Sequence, residues 1–577
     1  MHEPKRWQHN PVLRDAVQRL ESQLQVSRFL ANLLVQRGIE SGEEANTFLN
    51  PALRGLTDPL LLTNVESAGN RILHAIRENQ KIQILGDYDV DGVTSTTLMV
   101  SFLKLFGSLP RFVVPRRLEE GYGMGREVIE RAISAEKPDL FIALDCGTNS
   151  VGEVAHLRSL GIDVIIIDHH QSTQSTPADC ILVNPHIHDA EDSPWRDLCT
   201  VGLVFKLVHG IVKILRNQGN EEAHQIQLKD YLDLVALGTI ADLVPLRDEN
   251  RILVRHGLHK LRQSNRCGIQ ALFQVSGLGM EGKDLRATDI SFKLGPRINA
   301  SGRLADAALP IEMLLCDNFQ DSLQAARQLD EMNTERQKIE RDIVTEAQAQ
   351  VEERYQDAHG VVVFNHSWHP GVVGIVASRL TNILKKPTIV LGAEGTTAKG
   401  SGRSVPGLDL VKALNDCPDL LSEFGGHPMA VGLNLEQANI EPFRAAFEEA
   451  VHKHLGGVVA EPTLDIDCWV QPDDISSDLL VDLEQLQPYG QANPEPIIGT
   501  RYMELAQPPQ RIGQEGKHFR FNHFSPKGER VSAIAWNLGD SAPPANTPID
   551  LAFKLAWNHY NGSTYPQMEV VDWRLSE

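Results

Sequence analysis

Asp87, Asp89 and Asp91 alternate along Gly86-Asp-Tyr-Asp-Val-Asp-Gly92, a dense run of carboxylates. Crowded together, they repel one another unless positive charge is bound between them. Hard divalent cations with oxygen ligands meet that need, which points to Mg²⁺ or Mn²⁺. The spacing also mimics the first half of an EF-hand loop, which requires Glu at its twelfth position. Counted from Asp87 that position is Leu98, so the EF-hand fails. For this stretch alone, an acidic turn without metal is the plainer alternative.

Other residues of the same chemistry decide against the plainer reading. Asp145 directly follows the apolar run 139–144, and Asp168-His169-His170 follows Asp163-Val-Ile-Ile-Ile167. A lone Asp at a strand end is usually a helix cap. Several such ends in one parallel sheet must converge, because the carboxyl ends of all its strands lie on one side. Asp242, in Thr239-Ile-Ala-Asp-Leu-Val-Pro-Leu246, follows an apolar helix beginning near Tyr231. An acid in so apolar a segment is costly unless it is paired or metal-bound.

The elements that must position these groups follow from periodicity. Strands are expected at 82–85, 111–114, 139–144 and 163–167, with a helix at 94–106 and a turn at Gly121, Gly123 and Gly125. Strands alternating with helices give a parallel, doubly wound α/β sheet. Residues 1–75 read as a helical accessory region. Leu294-Gly-Pro-Arg-Ile-Asn-Ala-Ser-Gly-Arg303 reads as a loop in which Arg297 and Arg303 suit phosphate oxygens. Arg251, Arg255, Lys260, Arg262 and Arg266 form either a basic patch or a solvated helix face.

Asn318 to Tyr355 lacks Pro and Gly and carries one thin apolar stripe. As a single helix it would span about 57 Å, too long for one small domain, so it connects two lobes. A second α/β unit follows, with strands 361–364 and 388–391 around helix 372–384. Its segments Lys399-Gly-Ser-Gly-Arg-Ser404 and Gly425-Gly-His-Pro-Met-Ala-Val-Gly432 read as Gly-rich phosphate-binding turns. Beyond about residue 462 short strands dominate, and Asn561-Gly562 signals a hairpin. In Lys517-His-Phe-Arg-Phe-Asn-His-Phe524, Phe519 and Phe521 are expected in a core, and Lys517 and Arg520 on nucleic acid.

At 577 residues the chain holds three or four domains, and 42% hydrophobic with 23% charged residues is ordinary globular composition. No apolar run approaches the ~18 residues of a membrane span, and the N-terminus lacks a signal peptide's apolar core. A cytoplasmic protein without membrane association is expected. The seven cysteines include no C-x-x-C, against structural zinc and against a disulfide framework. A formal charge of −21 argues against an overall basic surface, but phosphate contacts depend on local patches.

Asp87-Tyr-Asp-Val-Asp-Gly, Leu144-Asp-Cys-Gly, Asp168-His-His and Ala241-Asp-Leu-Val-Pro-Leu together resemble the four motifs of the DHH phosphoesterase superfamily. Within it, the chain is similar to the bacterial branch of single-strand-specific 5′→3′ exonucleases, over nearly all of residues 40–577. That resemblance implies a DHH catalytic domain at 76–316 and a connector at 317–357. It further implies a DHHA1 substrate-binding domain at 358–460 and an OB-like β-barrel at 461–577. It implies two Mg²⁺ or Mn²⁺ ions bridged by Asp145, one completed by Asp87 and Asp89, the other by Asp91, His169 and Asp242. Where the pyrophosphatase branch has a ligand His, this chain has Leu85, and Asp87 is the expected substitute.

His170 is then expected on the scissile phosphate, its side chain diverging from that of His169, while Asp168 orients its neighbours. Expected substrate contacts are Arg116, Arg297, Asn299, Arg303, Ser401, Arg403, His427, Lys517 and Arg520. Single-stranded DNA is the expected partner of a monomer, with a single-strand-binding protein and a helicase beside it, in DNA repair and recombination. Two rival readings are an enzyme for short RNA or cyclic dinucleotides and an inactive DNA scaffold. Length speaks against the first and the intact motif acids against the second.

Overall fold

The structure is a computed structural model that describes residues 5–116, 119–121, 123–172, 175–279, 285–304, 307–355, 358–456, 463–560 and 563–576. Asn561 and Gly562, where the hairpin signal falls, lie outside the described residues. So do residues 357, 460 and 461, at which two expected domain boundaries fall. No helix among the described residues is long and apolar enough to cross a membrane.

The catalytic lobe is built on five parallel strands in the spatial order Arg111–Val113, Ile82–Gly86, Leu140–Leu144, Asp163–Ile167, Ile181–Val183. Ile82–Gly86 and Leu140–Leu144 are buried along their whole length, as strands covered on both faces must be. The chain leaves Ile82–Gly86 in one direction for Arg111–Val113, then returns past it to Leu140–Leu144. The crevice of a doubly wound sheet opens between the two strands where the winding reverses, at their carboxyl ends. Asp87 and Asp145 follow those two ends.

The helix after Asp87 runs Val90–Lys104 and so starts four residues before the expected position at 94. The Asp89 carboxylate sets the start by accepting the Asp91 and Gly92 N–H groups, as an N-cap does. Gly92 is required there, since a Cβ would stand 2.4 Å from the Asp87 carbonyl oxygen.

The expected loop at 294–303 is helical instead, a π-helical turn Ile290–Leu294 running into the α-helix Gly295–Leu304. Pro296 has no N–H to continue the ladder, and it stands where the π-turn gives way to the α-helix. Gly302 lets this helix close on Tyr88, whose side chain would stand 3.0 Å from an added Cβ.

The connector is one helix of 36 residues, Phe319–Arg354, capped by Asn318. Its first half buries Leu323, Ala326 and Leu329 in the catalytic core. Its second half buries Ile343, Val344, Ala347 and Val351 against the second α/β lobe.

That lobe has a mixed sheet in the order Glu423–His427, Ala430–Glu436, Thr397–Arg403, Thr388–Glu394, Val361–Asn365. The Gly-rich segments expected as turns therefore lie mainly in strands, with a turn only at Pro428-Met429. Gly400 and Gly402 face the core, where added Cβ atoms would meet Leu391 at 2.4 Å and Leu410 at 2.7 Å. Alternation then places Lys399, Ser401 and Arg403 together on the opposite face.

The C-terminal sheet has seven strands, with Cys468–Val470 at one edge and Gln510–Ile512 at the other. It does not close, so the expected barrel is an open sheet. The helices Arg14–Leu24, Arg28–Gln36 and Gly42–Leu49 share its core, with Leu20, Leu30 and Leu34 packed into the same cluster as Leu479, Phe519 and Phe553. The two chain ends thus form one unit, and removing 462–577 alone would expose the apolar faces of those helices.

Arg251 fastens this unit to the catalytic lobe. It is buried, lies 3.6 Å over the Phe48 ring, and donates to the carbonyls of Phe48, Leu486, Gln485 and Gln487. Its role is structural rather than that of a basic patch. Arg251→Ala should lower stability by about 3 kcal/mol, because it strands several buried carbonyls at once. An unchanged denaturation midpoint would contradict this.

Candidate metal centre

Asp87, Asp145 and Asp168 each stand one residue beyond a strand and are still tied to the next strand of the sheet. Asp87 N–H donates to Leu144 O at 3.2 Å, Asp145 N–H to Ile167 O at 3.0 Å, and Asp168 N–H to Val183 O at 3.1 Å. This ladder levels the side chains at one edge. Asp145 adopts φ +67°, a left-handed conformation unfavourable for a non-glycine residue and found where function fixes a side chain.

Among the described residues, three groups of ligand atoms lie within 4.8 Å of one another: Asp87 with Asp89 and Asp145, Asp145 with His169 and His170, and Asp91 with Cys199 and Asp242. Asp145 belongs to two of them. His169 joins the third, with Nε2 at 3.5 Å from both Asp145 and Asp242 and 3.9 Å from Asp91.

Neighbouring groups hold the acids in place. Asp91 accepts the N–H groups of Thr200 and Val201 at 2.6 and 2.8 Å, at the start of the helix Thr200–Asn217, whose positive end favours a carboxylate. The Thr200 hydroxyl donates to Asp145 at 2.8 Å. Asp168 accepts from Thr148 N–H and hydroxyl, from the backbone of His169 and His170, and pairs with the His170 ring at 2.6 Å. Asn184 donates to the Thr148 hydroxyl and to the His170 carbonyl.

The histidine rings do not diverge; their centroids are 4.7 Å apart. The strand ends at Ile167, and residues 168–170 curl around the Asp168 carboxylate, so strand alternation no longer applies.

Burial, then the neighbouring Asp91, Asp89 and Asp87, push the Asp145 carboxyl well above its ordinary range. Burial and Asp89 push Asp91 up to about 7, and burial with Asp91 and Asp89 pushes Asp242 up to about 9. Burial lowers His169 to about 4, which keeps it a neutral imidazole able to ligate. For His170 burial works downward, but the Asp168 hydrogen bond and charge prevail and raise it to about 9. Asp168 is itself held far below the usual range, the His170 and Thr148 bonds outweighing burial.

These side chains make a donor set suited to a cation. His169 Nε2 and Asp242 Oδ2 are buried without a hydrogen bond. The oxygen-rich set with one imidazole fits a hard divalent ion. The buried Cys199 thiol is pushed well above its usual range and stays neutral.

A stability consequence follows. Raised carboxyls stabilise the fold below their unfolded values, and that stability is lost as pH rises through about 7 and about 9. The raised His170 acts in the same direction, lost through about 9. Metal-free protein should therefore melt higher at pH 6 than at pH 9, and saturating Mn²⁺ should shrink the gap. Equal metal-free midpoints would contradict this.

Beside the centre, Arg297 pairs with Asp330 at 2.9 Å, and Asn299 Oδ1 is buried without a hydrogen bond. Arg303 donates to Gly371 O at 2.9 Å and so bridges to the second lobe. There Arg403 donates to Ser401 Oγ at 2.7 Å and to Gly402 O at 2.8 Å, with no acidic partner among the described residues. Burial lowers the Arg403 pKa. Gly374, in the first turn of Val373–Leu384, lies beside both, and an added Cβ would be in ordinary contact with them, 3.4 Å from Ser401 and 3.7 Å from Arg403. His427 is exposed two strands away in register with Arg403.

Arg116 is exposed and pairs with Glu119 at 3.1 Å. Lys517 pairs with Glu515 at 3.0 Å and Arg520 bonds Gln510 at 2.9 Å, both exposed near the edge of the C-terminal sheet. These three pair with neighbours of their own rather than with the centre's acids or imidazoles. Phe519 and Phe521 are buried, as expected. Thr148, Asn184 and Thr200 support the site without any motif to signal them.

Three family models match: the DHH family N-terminal domain over residues 81–239, the DHHA1 domain over 357–453 and the RecJ OB domain over 466–572. The single-stranded-DNA-specific exonuclease RecJ of Escherichia coli (strain K12) is 35% identical over 559 residues, covering 94% of this chain and 95% of that protein. Its counterpart in Bacillus subtilis (strain 168) is 34% identical over 576 residues, covering 99% of this chain and 71% of that protein. The chain belongs to the RecJ family. Crystal structures of RecJ from Thermus thermophilus agree in fold. The complex with Mn²⁺ has TM-score 0.83 and 28% identity, covering 100% of this chain and 80% of that one. The complex with Mg²⁺ has TM-score 0.77 and 26% identity, covering 99% and 79%.

Proposed function

We propose that this RecJ-family chain is a metal-dependent exonuclease that shortens single-stranded DNA from its 5′ end to 5′-mononucleotides. The observation that carries the reading is the convergence of four acids and a neutral imidazole around Asp145. Asp87, Asp89 and Asp145 would hold one Mg²⁺ or Mn²⁺ ion, and Asp145, Asp91, His169 and Asp242 a second. Bound there, the ions would supply an activated water and charge stabilisation at the phosphate.

The chain's own groups do the rest. Asp168 keeps the His170 ring protonated, a cation suited to a phosphate oxygen. Thr200 and the N–H groups of its helix aim Asp145 and Asp91. Arg403, Ser401 and the first turn of Val373–Leu384 form a cup for a compact dianion, the terminal 5′-phosphate. Arg297, Asn299 and Arg303 line the strand on the catalytic side, and Arg116, His427, Lys517 and Arg520 take phosphates farther out. A role in repair and recombination, action as a monomer, and work beside a single-strand-binding protein and a helicase accord with such an enzyme.

The test is a substrate comparison in Mg²⁺ and Mn²⁺. Single-stranded DNA should be degraded, and duplex DNA and short RNA should be poor substrates. Preferential cleavage of short RNA or cyclic dinucleotides would replace this reading with the small-substrate one.

A further inference from the structure

Opposite the metal centre, at the amino ends of the strands Ile82–Gly86 and Arg111–Val113, the catalytic lobe has a cavity of about 230 Å³. Asn79, Lys81, Gln83, Phe106, Arg111 and Glu136 are among the residues that line it. The helices Val65–Arg77 and Val90–Lys104 both end beside it.

Core packing does not account for Gln83. It is 2% exposed, in a strand whose other members are apolar or glycine. Its Nε2 donates to the Ile84 carbonyl at 3.0 Å, while its Oε1 accepts nothing among the described residues. An amide oxygen buried in this way is costly unless a donor reaches it. Register sets Arg111 directly beside Gln83 on the neighbouring strand, with its long side chain exposed. Glu136 is taken by Lys81 at 2.5 Å, and among the described residues Arg111 has no acid within ion-pair distance. The cavity thus offers an acceptor at its floor, the half-buried Phe106 ring at its wall and an uncompensated guanidinium at its mouth.

We propose that this cavity binds a free 5′-mononucleotide whose base carries an exocyclic amine, dAMP or dCMP. For the source of that ligand the inference rests on the exonuclease reading, in which mononucleotides are the product. The amine of adenine or cytosine is a donor for Gln83 Oε1, the base lies against Phe106, and Arg111 takes the phosphate. So small a cavity suits one small molecule rather than a strand. Gln83 and Asp87 stand toward opposite ends of one strand, about 13 Å apart at ~3.3 Å per residue. Product can therefore occupy the cavity while a strand fills the metal centre.

The test is a calorimetric titration of the full chain, without metal and saturated with 5′-phosphorylated dT6 so that the Arg403 cup is filled. One equivalent of dAMP should bind, about tenfold more tightly than inorganic phosphate or dIMP, which has a carbonyl in place of the amine. Arg111→Ala should weaken dAMP about tenfold, and Gln83→Met should erase the preference for dAMP over dIMP. Hydrolysis of 5′-phosphorylated strands in Mn²⁺ should be the same for Arg111→Ala as for the unsubstituted chain. No dAMP binding beside dT6, equal affinity for dAMP, dIMP and phosphate, or an affinity unmoved by Arg111→Ala would overturn the proposal. Should Gln83→Met fail to fold, the dIMP comparison and Arg111→Ala still decide. If the unsubstituted chain binds dAMP here yet degrades no single strand, the exonuclease reading fails and the site stands.

Discussion

Asp145→Asn is expected to lower the rate of hydrolysis by at least ~10³-fold, about 4 kcal/mol of transition-state stabilisation. It should also raise the melting midpoint of the metal-free protein at pH 8. Both effects have one cause. Asp145 is buried between Asp91, Asp89 and Asp87, and its ligand oxygens belong to two of the three clusters. Asparagine keeps the shape and the acceptor for the Thr200 hydroxyl but removes the charge. Repulsion among the remaining acids falls, and so does the grip on a cation. A variant with a tenth or more of the original rate, or a lower metal-free midpoint, would remove Asp145 from its shared position.

Arg403→Ala is expected to separate two substrates. On strands with a 5′-phosphate it should cost ~1.5–3 kcal/mol for each charged hydrogen bond lost, about 10- to 150-fold in kcat/KM. On strands with a 5′-hydroxyl it should cost far less. Arg403 is largely buried on a sheet face, bonded to Ser401 Oγ and Gly402 O and to no acid among the described residues. That leaves a desolvated positive charge beside a helix N-terminus, which favours an anion. Equal losses on both strands would place the terminal phosphate elsewhere.

The parallel sheet and its acids were legible because each signal is local. Apolar runs such as 139–144 and 163–167 end in Asp, and a parallel sheet puts those ends on one side. The connector was legible because 36 residues pass without Pro or Gly. What was not legible depends on distant contacts. Thr200 meets Asp91 and Asp145 only because the sheet and the helix Thr200–Asn217 pack together, and no spacing announces that.

The glycines of 399–404 read as turn residues, yet they clear space for Leu391 and Leu410 from a strand. Helices 14–49 read as an accessory region, but their apolar faces are completed by strands more than four hundred residues away. The His169–His170 pair was placed by strand alternation, which stops at Ile167.

The most direct test of the account is a time course on one 5′-phosphorylated single strand carrying distinguishable labels on its first and last nucleotides, in Mg²⁺ or Mn²⁺. The account predicts that the 5′ label appears first, as a mononucleotide, while the 3′ label stays on shortening strands, and that chelation stops both. Release of the 3′ label first, or cleavage that persists in chelator, would contradict it.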